Sequence, residues 1–302
     1  MVRVDLMGGI GNQLFIYFAG LYLSKKHKAE LVLSTELIES TNQSHPGKNI
    51  ERLGLVGDFK SNLSPFFIFL RRVRNFLERR SGWLSLVFIN KSRYYFSNQI
   101  GFDEKLDSIS TPCHIHGYFQ TWKFAEDSVE DFAEILNSYV AISREGSELI
   151  AESLSKLPIV IHIRLGDYRN EINKKFGILG ADYYISAIEL VRTNPQIDAN
   201  EFWVYSDEIN TARELYSDVF PKDTKWVDEL NQIENMDVFV AMRNASAHII
   251  GNSSFSWWAA YSSSTSAMTV APRKWFMNME DPKYLLPSNW VKIDSSWRTS
   301  SD

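Results

Sequence analysis

Short apolar runs alternate with stretches of helical spacing throughout the second half of the chain. The run from Ile159 to Ile163 opens this pattern, and its first three residues are β-branched and apolar on both faces, as in a parallel strand covered on both sides. The pattern predicts further strands at 202–205, 225–227, 247–250 and 268–270, and helices at 181–191, 210–216, 236–243 and 255–261. This alternation predicts a parallel sheet with right-handed crossovers.

The first half begins with a similar but shorter pattern. We expect a strand at 2–7, a glycine-rich turn at 8–11, a helix to about His27 that Asn12 caps, and a strand at 31–33. A strand at 114–120 and helices at 122–140 and 143–156 follow. The sequence thus predicts an α/β protein with two Rossmann-like domains, 1–156 and 157–302, with a tail of little periodicity that packs back on the first domain.

Composition narrows the function classes. Of the 302 residues, 44% are apolar and 23% are charged, as in ordinary globular proteins. The net charge of -5 argues against a general nucleic-acid binder, which needs a basic surface. Cys113 is the single cysteine, so no intrachain disulfide can form. No signal peptide precedes the first strand and no apolar run is long enough to span a membrane, so we expect a cytoplasmic protein.

The stretch from Phe66 to Arg80 mixes aromatic and aliphatic residues with five arginines. One interpretation is an ordinary helix whose apolar face packs inward and whose arginines are solvated. The other is a basic amphipathic helix that lies on an anionic membrane surface, which would place the protein at the inner face of the plasma membrane.

Polar side chains lie at or just after the ends of three strands of the predicted second sheet. They are His162 and Arg164, Ser206 and Asp207, and Asn252, Ser253 and Ser254. The carboxyl ends of parallel strands meet at one edge of a sheet, where ligands of open α/β folds bind. Arg164 has a planar guanidinium whose donors suit a phosphate. Asn252 or Ser253 can cap a helix whose N-terminal amides can bind a second phosphate. We therefore expect a nucleotide-diphosphate site, with Asp207 accepting hydrogen bonds from a base or ribose.

The glycine-rich turn admits another interpretation. Gly9-x-Gly11 after a strand, with Glu36 near the end of the next strand, partly matches a dinucleotide-binding fingerprint. Leu14 occupies the position of the third glycine, where it hinders the close helix–strand approach that the motif serves.

We expect no metal and no required cofactor. One cysteine and six scattered histidines give no zinc spacing, and the Asp-x-Asp cue of metal-using sugar transferases is absent. Arg164 and helix N-termini would then neutralise a diphosphate leaving group.

Four stretches together resemble the α-1,2-fucosyltransferases of glycosyltransferase family 11. They are Gly8-Gly-Ile-Gly-Asn-Gln-Leu-Phe15, Gly117-Tyr-Phe-Gln120, His162-Ile-Arg-Leu-Gly-Asp-Tyr168 and Asn252-Ser-Ser-Phe-Ser-Trp-Trp-Ala259, and Tyr205-Ser-Asp207 fits the remaining motif. They follow the family's order and span most of the chain. One departure is Leu165, which stands where the family commonly has a second arginine. Since neighbours on a strand face opposite sides, we expect Leu165 to turn into the core.

The resemblance implies a GT-B-like enzyme with two Rossmann-like domains facing across a cleft. It would move L-fucose from GDP-fucose, held mainly by the second domain, to the 2-hydroxyl of a galactose, with inversion. The implied catalytic residues are Arg164, on the β-phosphate, and Asn12. The implied donor-binding residues are Gly11, Gln13, His162, Asp167 (which also shapes its loop), Asp207, Ser253, Ser254 and Phe255. The implied acceptor-side residues are His116, Tyr118 and Gln120.

The resemblance leaves the general base open. His116, Asp103 and Glu104 are candidates by position, and oxygens of the departing phosphate are another. The acceptor is expected to be a galactose-bearing glycan, such as a lipid-linked unit of bacterial O-antigen. The alternatives are an inverting transferase for another nucleotide sugar and a nucleotide-binding protein without transferase activity.

Overall fold

Two compact units make up the chain, each built around its own parallel sheet. In the computed structural model, the described residues are 1–39, 50–61, 93–170, 173–227, 233–265 and 267–298. One unit comprises Met1–Ser128 with Pro282–Leu285, and the other comprises Val129–Asp281 with Leu286–Asp302. The basic stretch at 66–80 lies outside the described residues.

The first unit holds a five-stranded parallel sheet. Its elements are β1 (Val2–Asp5), α1 (Ile10–His27), β2 (Leu31–Ser34), α2 (Glu36–Glu39), β3 (Asp58–Lys60), β4 (Tyr94–Phe96) and β5 (Cys113–His116). The strand order is β3-β2-β1-β5-β4, and every neighbouring pair is parallel. The chain therefore places β2 and β3 on one side of β1, and β5 and β4 on the other.

Helix α1 begins before Asn12, the residue that we predicted as its N-cap. Gly8 adopts a left-handed conformation (φ 69°), and the helix begins at Ile10 with Gly9 as a cap that gives no side-chain bond. The expectation that Asn12 caps the helix is therefore wrong, because Asn12 already lies in its first turn. Close helix–strand approach occurs at Gly20, where a Cβ would lie 2.6 Å from Val4 Cγ1.

The second unit holds a six-stranded sheet, parallel throughout. Its elements are α3 (Val129–Asn137), α4 (Arg144–Lys156), β6 (Ile159–Ile163), α5 (Ala181–Arg192), β7 (Phe202–Ser206), α6 (Ile209–Tyr216), β8 (Lys225–Trp226), α7 (Asn235–Met242), β9 (Ala247–Ile249), α8 (Ser254–Tyr261), β10 (Met268–Pro272) and β11 (Val291–Ile293). The order β11-β10-β9-β6-β7-β8 is that of a Rossmann sheet. The topological switch point lies between β6 and β9.

From α4 onward, the predicted strands and helices are confirmed to within one or two residues. Two predictions in the preceding region are wrong. The strand expected at 114–120 ends at His116, and the helix expected at 122–140 consists of two 3₁₀ turns followed by α3. In the tail, where the sequence shows little periodicity, β11 adds a sixth strand beside β10.

The division between the units falls before Val129, whereas we expected it between 156 and 157. The connection from α3 to α4 is tied to α7, because the buried carboxylate of Asp237 accepts from Tyr139 Oη (2.8 Å) and from the Ile142 amide (2.9 Å). Arg243 adds a bond from Nη2 to Asn137 Oδ1 (3.2 Å). These buried polar contacts hold α3 and α4 on the second sheet. The tail segment Pro282–Leu285 belongs to the first unit.

The core of the second unit forms around β6, whose five residues are all buried. Leu165 joins this core with no exposed surface, as we expected for its position after Arg164. Within the described part of the chain, no helix combines the length and apolar character needed to cross a membrane.

Candidate functional site

The polar ends of β6, β7 and β9 meet at one edge of the second sheet. β6 pairs in parallel with β7 on one side and with β9 on the other, so their carboxyl ends are neighbours. The prediction that three polar strand ends converge is confirmed. The switch point between β6 and β9 falls within this edge, which is where open α/β sheets bind their ligands.

Arg164 is the central cation of this edge. Its guanidinium donates from Nη2 to Asp167 Oδ1 (2.5 Å) and pairs through Nη1 with Asp207 Oδ2 (2.9 Å). The side chain is 22% exposed. Burial alone would lower the Arg164 pKa, but Asp207 and Asp167 outweigh it and raise that pKa. The Arg164 guanidinium is thus fully charged and is held at the carboxyl end of β6.

Asp207 positions both Arg164 and the backbone that follows it. Its Oδ1 accepts from the Leu165 amide (3.0 Å), while Oδ2 pairs with Arg164. Gly166 makes room for this carboxylate, because a Cβ there would lie 2.1 Å from Asp207 Oδ2. Asp207 therefore organises the loop after β6, a role that we did not anticipate when we expected it to contact a base or ribose.

His162 is a buried, neutral imidazole beside the arginine. Burial, with a smaller contribution from Arg164, lowers its pKa to about 3. Its Nδ1 is buried and makes no hydrogen bond among the described residues. The ring lies 6.2 Å from that of Phe255, centroid to centroid. Gly251 lets β9 come close, since a Cβ there would lie 2.9 Å from the carbonyl oxygen of His162.

The β9 end supplies the start of α8. Ser253 is the N-cap and accepts through its side chain from the Phe255 amide (3.3 Å), as we predicted for one of two candidates. The other, Asn252, does not cap the helix. Its buried Nδ2 donates to the carbonyl oxygens of Phe176 (3.0 Å), Gly177 (3.1 Å) and Trp275 (3.2 Å). Ser254 opens the helix, so its N-terminal amides lie at the same sheet edge as Arg164.

Two further contacts close this edge. Tyr168 donates from its hydroxyl to the Asn252 carbonyl oxygen (2.9 Å), and its ring lies 5.4 Å from the Arg164 guanidinium. The β6 loop is thereby joined to the start of α8. Tyr168 closes one of the four stretches that resemble the family, but we assigned it no role from the sequence. The later residues of the tryptophan-rich motif have a structural role, since Trp257 and Trp258 are fully buried.

The carboxyl edge of the first sheet carries a second polar cluster. Asp5, at the end of β1, is fully buried and lies 2.8 Å from His114 Nε2 and 3.0 Å from His116 Nδ1. Burial raises the Asp5 pKa, but its hydrogen bonds to the two histidines outweigh burial and hold that pKa below its usual value. Of these three residues, only His116 was predicted. The alternation of His114 and His116 on one strand face was the available signal.

The remaining predicted residues of the first unit are placed around this edge. Asn12 Oδ1 accepts from Gln120 Nε2 (2.8 Å), which brings two predicted residues together. Gln13 is buried and donates from Nε2 to the Gly8 carbonyl oxygen (2.8 Å), and Gly11 is buried within α1. Tyr118 is 42% exposed.

Two of the three base candidates have structural roles. Asp103 is buried and caps the 3₁₀ turn Glu104–Ser108, accepting from Tyr95 Oη (2.5 Å), Ser97 Oγ (2.6 Å) and the Lys105 amide (3.1 Å). Glu104 is exposed and pairs with Lys283 (2.8 Å). Within the described ranges, no three His, Cys, Asp or Glu side chains are grouped as a metal ion would require.

Comparison with known proteins fixes the family. The model of glycosyl transferase family 11 matches residues 50–294, most of the chain. The chain belongs to glycosyltransferase family 11. This glycosyltransferase is 27% identical to an α-1,2-colitosyltransferase of Escherichia coli over 97% of this chain and 99% of that protein. It is 30% identical to the O-antigen biosynthesis glycosyltransferase WbnK of Escherichia coli over 44% of this chain and 43% of WbnK.

Solved structures share the fold of this family 11 glycosyltransferase. The fucosyltransferase NodZ from Bradyrhizobium superposes with a TM-score of 0.51 at 14% identity, covering 86% of this chain and 92% of NodZ. A NodZ α-1,6-fucosyltransferase co-crystallised with GDP gives a TM-score of 0.50 at 13% identity, covering 86% and 91%. The predicted fold, with two parallel-sheet α/β units of GT-B-like type, is confirmed.

Proposed function

We propose that this family 11 glycosyltransferase moves L-fucose from GDP-fucose to the 2-hydroxyl of a galactose in a glycan, with inversion. The observation that carries the proposal is the position of Arg164 at the switch point of the second sheet. There a charged guanidinium, held by Asp167 and Asp207, lies at the same edge as the N-terminus of α8. Both features favour negative charge.

The reaction needs charge stabilisation where the leaving group forms. In a single displacement the galactose oxygen attacks C1 of the donor sugar, the bond from C1 to the phosphate oxygen breaks, and its electron pair stays on GDP. Arg164 and the α8 amides stabilise this charge. The neutral imidazole of His162 adds a polar contact without adding charge. On this proposal no metal is required, because Arg164 and the α8 amides supply hydrogen-bond donors to the diphosphate.

A second donor is favoured by one observation. The α-1,2-colitosyltransferase matches nearly the whole of both chains, so GDP-colitose is the alternative donor for the same site. The two donors differ in the sugar and share the nucleotide diphosphate. The name of WbnK supports a place in O-antigen biosynthesis, and we propose that the enzyme works on such a glycan, lipid-linked, in the cytoplasm.

The test is a matrix of donors and acceptors. GDP-fucose, GDP-colitose and a UDP-sugar are each incubated with a β-galactoside and with the matching 2-deoxygalactoside. We expect transfer from GDP-fucose to the galactoside alone, unchanged by EDTA. Transfer from GDP-colitose alone would establish the second donor. Loss of activity in EDTA that a divalent ion restores would refute metal independence.

The same matrix tests the remaining alternatives. Turnover of the UDP-sugar would assign another donor class. GDP that raises the unfolding midpoint without any transfer would establish a nucleotide-binding protein instead. Equal protection by GDP and UDP would refute recognition of guanine.

A further inference from the structure

Tyr168 connects the two groups of the second unit that favour negative charge. Its hydroxyl donates to the carbonyl oxygen of Asn252 (2.9 Å), the residue before the N-cap of α8. The guanidinium carbon of Arg164 lies over the Tyr168 ring, 5.4 Å from the ring centroid. A single side chain thus contacts both Arg164 and the segment that begins α8, and all of these atoms belong to one compact unit.

The Tyr168 ring completes the support of the Arg164 guanidinium. Asp167 and Asp207 pair with Nη2 and Nη1 of that group, at 2.5 and 2.9 Å. A cation within about 6 Å of an aromatic centroid is attracted to the face of the ring, so the ring is a third restraint on the guanidinium. A guanidinium has more N–H donors than the two carboxylates use, so donors remain for a phosphate.

The Tyr168 hydroxyl fixes the start of α8 to the loop after β6. The side chain of Asn252 donates to three backbone carbonyl oxygens, including that of Phe176 (3.0 Å). The Phe176 ring in turn lies 5.1 Å from the Tyr168 ring, centroid to centroid. Tyr168, Phe176 and Asn252 therefore form a closed set of contacts. Burial raises the pKa of the Tyr168 phenol above its usual value, so the hydroxyl keeps its hydrogen at neutral pH and donates it.

A buried nitrogen without a partner marks the place of a ligand beside these groups. His162 is 5% exposed, and its Nδ1 makes no hydrogen bond among the described residues. Its ring lies 6.2 Å from that of Phe255, in the first turn of α8. Buried polar atoms are normally hydrogen-bonded, so this nitrogen indicates a polar ligand at the same edge. The observation does not depend on Tyr168.

We propose that Tyr168 is a positioning residue that sets the separation between Arg164 and the α8 amides, so that both engage one diphosphate. The inference rests on the proposed function and adds a residue to it. Arg164 and the amides bind the phosphates, and Tyr168 acts through them. Without the hydroxyl, the loop after β6 and the start of α8 move independently, so a diphosphate loses the benefit of binding both groups at once.

The test compares a nucleotide that has two phosphates with one that has a single phosphate. Binding of GDP and of GMP is measured by isothermal titration calorimetry for the wild type and for Tyr168→Phe, which removes the hydroxyl and keeps the ring. We expect Kd for GDP to rise by about tenfold, as for the loss of one hydrogen bond, and Kd for GMP to change by less than about threefold. The kcat of transfer should fall by at least about tenfold.

Tyr216→Phe is the matched control. Tyr216 also donates from its hydroxyl to a backbone carbonyl oxygen of the second unit, that of Leu179 (2.7 Å). This variant should lower the unfolding midpoint and leave the ratio of the GMP and GDP dissociation constants at its wild-type value. Tyr168→Leu, which also removes the ring beside Arg164, should lower that ratio by about a further threefold.

A double-variant cycle shows whether Tyr168 acts through Arg164. In the Arg164→Ala background, Tyr168→Phe should change the ratio of dissociation constants by less than about twofold. The reason is that the separation from a missing guanidinium has no effect on binding.

Three results would overturn the inference. They are a wild-type ratio in Tyr168→Phe, equal weakening of GDP and GMP in that variant, and the same change in ratio with and without Arg164. Tyr168→Phe decides the matter even if Tyr168→Leu does not fold. If the wild type binds GDP no more tightly than GMP, the proposed diphosphate site fails and the inference fails with it. If the wild type prefers GDP and transfers sugar while Tyr168→Phe keeps the ratio, the inference fails alone.

Discussion

Replacement of Gly166 by alanine should damage the donor site through Asp207. A Cβ at this position would lie 2.1 Å from Asp207 Oδ2 and 3.1 Å from its Cγ. The carboxylate must therefore rotate away. It would lose the amide of Leu165 (3.0 Å) and the guanidinium of Arg164 (2.9 Å).

The size of the effect follows from these two contacts. A hydrogen bond to a charged group contributes about 1.5–3 kcal/mol, and an ion pair near the surface about 0–1 kcal/mol. Since the Asp207 side chain is 25% exposed, we expect a total loss of about 2–3 kcal/mol, which corresponds to a fall of about 4–12 °C in the unfolding midpoint of the second unit. Displacement of Arg164 should also lower kcat/KM by about 10²-fold.

A double-mutant cycle isolates the steric cause. Thermal unfolding followed by circular dichroism is measured for wild type, Gly166→Ala, Asp207→Ala and the double variant. Without the carboxylate, addition of Gly166→Ala should cost less than about 0.5 kcal/mol. Equal costs of Gly166→Ala in both backgrounds would refute the reasoning.

Three other predictions concern the same sheet edge and the buried histidines. Arg164→Ala should lower kcat by about 10²- to 10³-fold with a small change in unfolding midpoint. Arg169→Ala, which removes an exposed partner of Glu208, should change kcat by less than about threefold, and equal losses for the two variants in steady-state assays would contradict this prediction. Asn252→Asp replaces a donor that serves three carbonyl oxygens with an acceptor, so the free energy of unfolding in urea should fall by about 3 kcal/mol or more. The control Asn278→Asp, at an exposed tail position, should change the free energy of unfolding little. Burial lowers the pKa of His162 to about 3 and that of His248 to about 4, so the unfolded chain binds more protons than the folded protein below pH 6.5. Stability should therefore fall as pH falls from 6.5 to 4. Unfolding midpoints that stay level over this range, or a His248→Gln variant with the full pH dependence of the wild type, would contradict this prediction.

The amino-acid sequence determined the second sheet and the chemistry of its edge. Buried parallel strands are apolar on both faces, so β6 could be located from its run of apolar residues, and the change to polar residues marked its end. His162, Arg164 and Asp207 were found because each lies at or just after the end of such a strand. The parallel order then required their side chains to meet.

Only the tertiary structure decided what these residues contact. Asp5 lies 109 positions from His114 in sequence, and no local pattern indicates a pairing that depends on β1 and β5 becoming neighbours. Similarly, β11 has three residues and no alternation of its own, so its place beside β10 comes from sheet pairing. A strand pattern reports which side of an element is buried, whereas the identity of the partner depends on how distant segments pack.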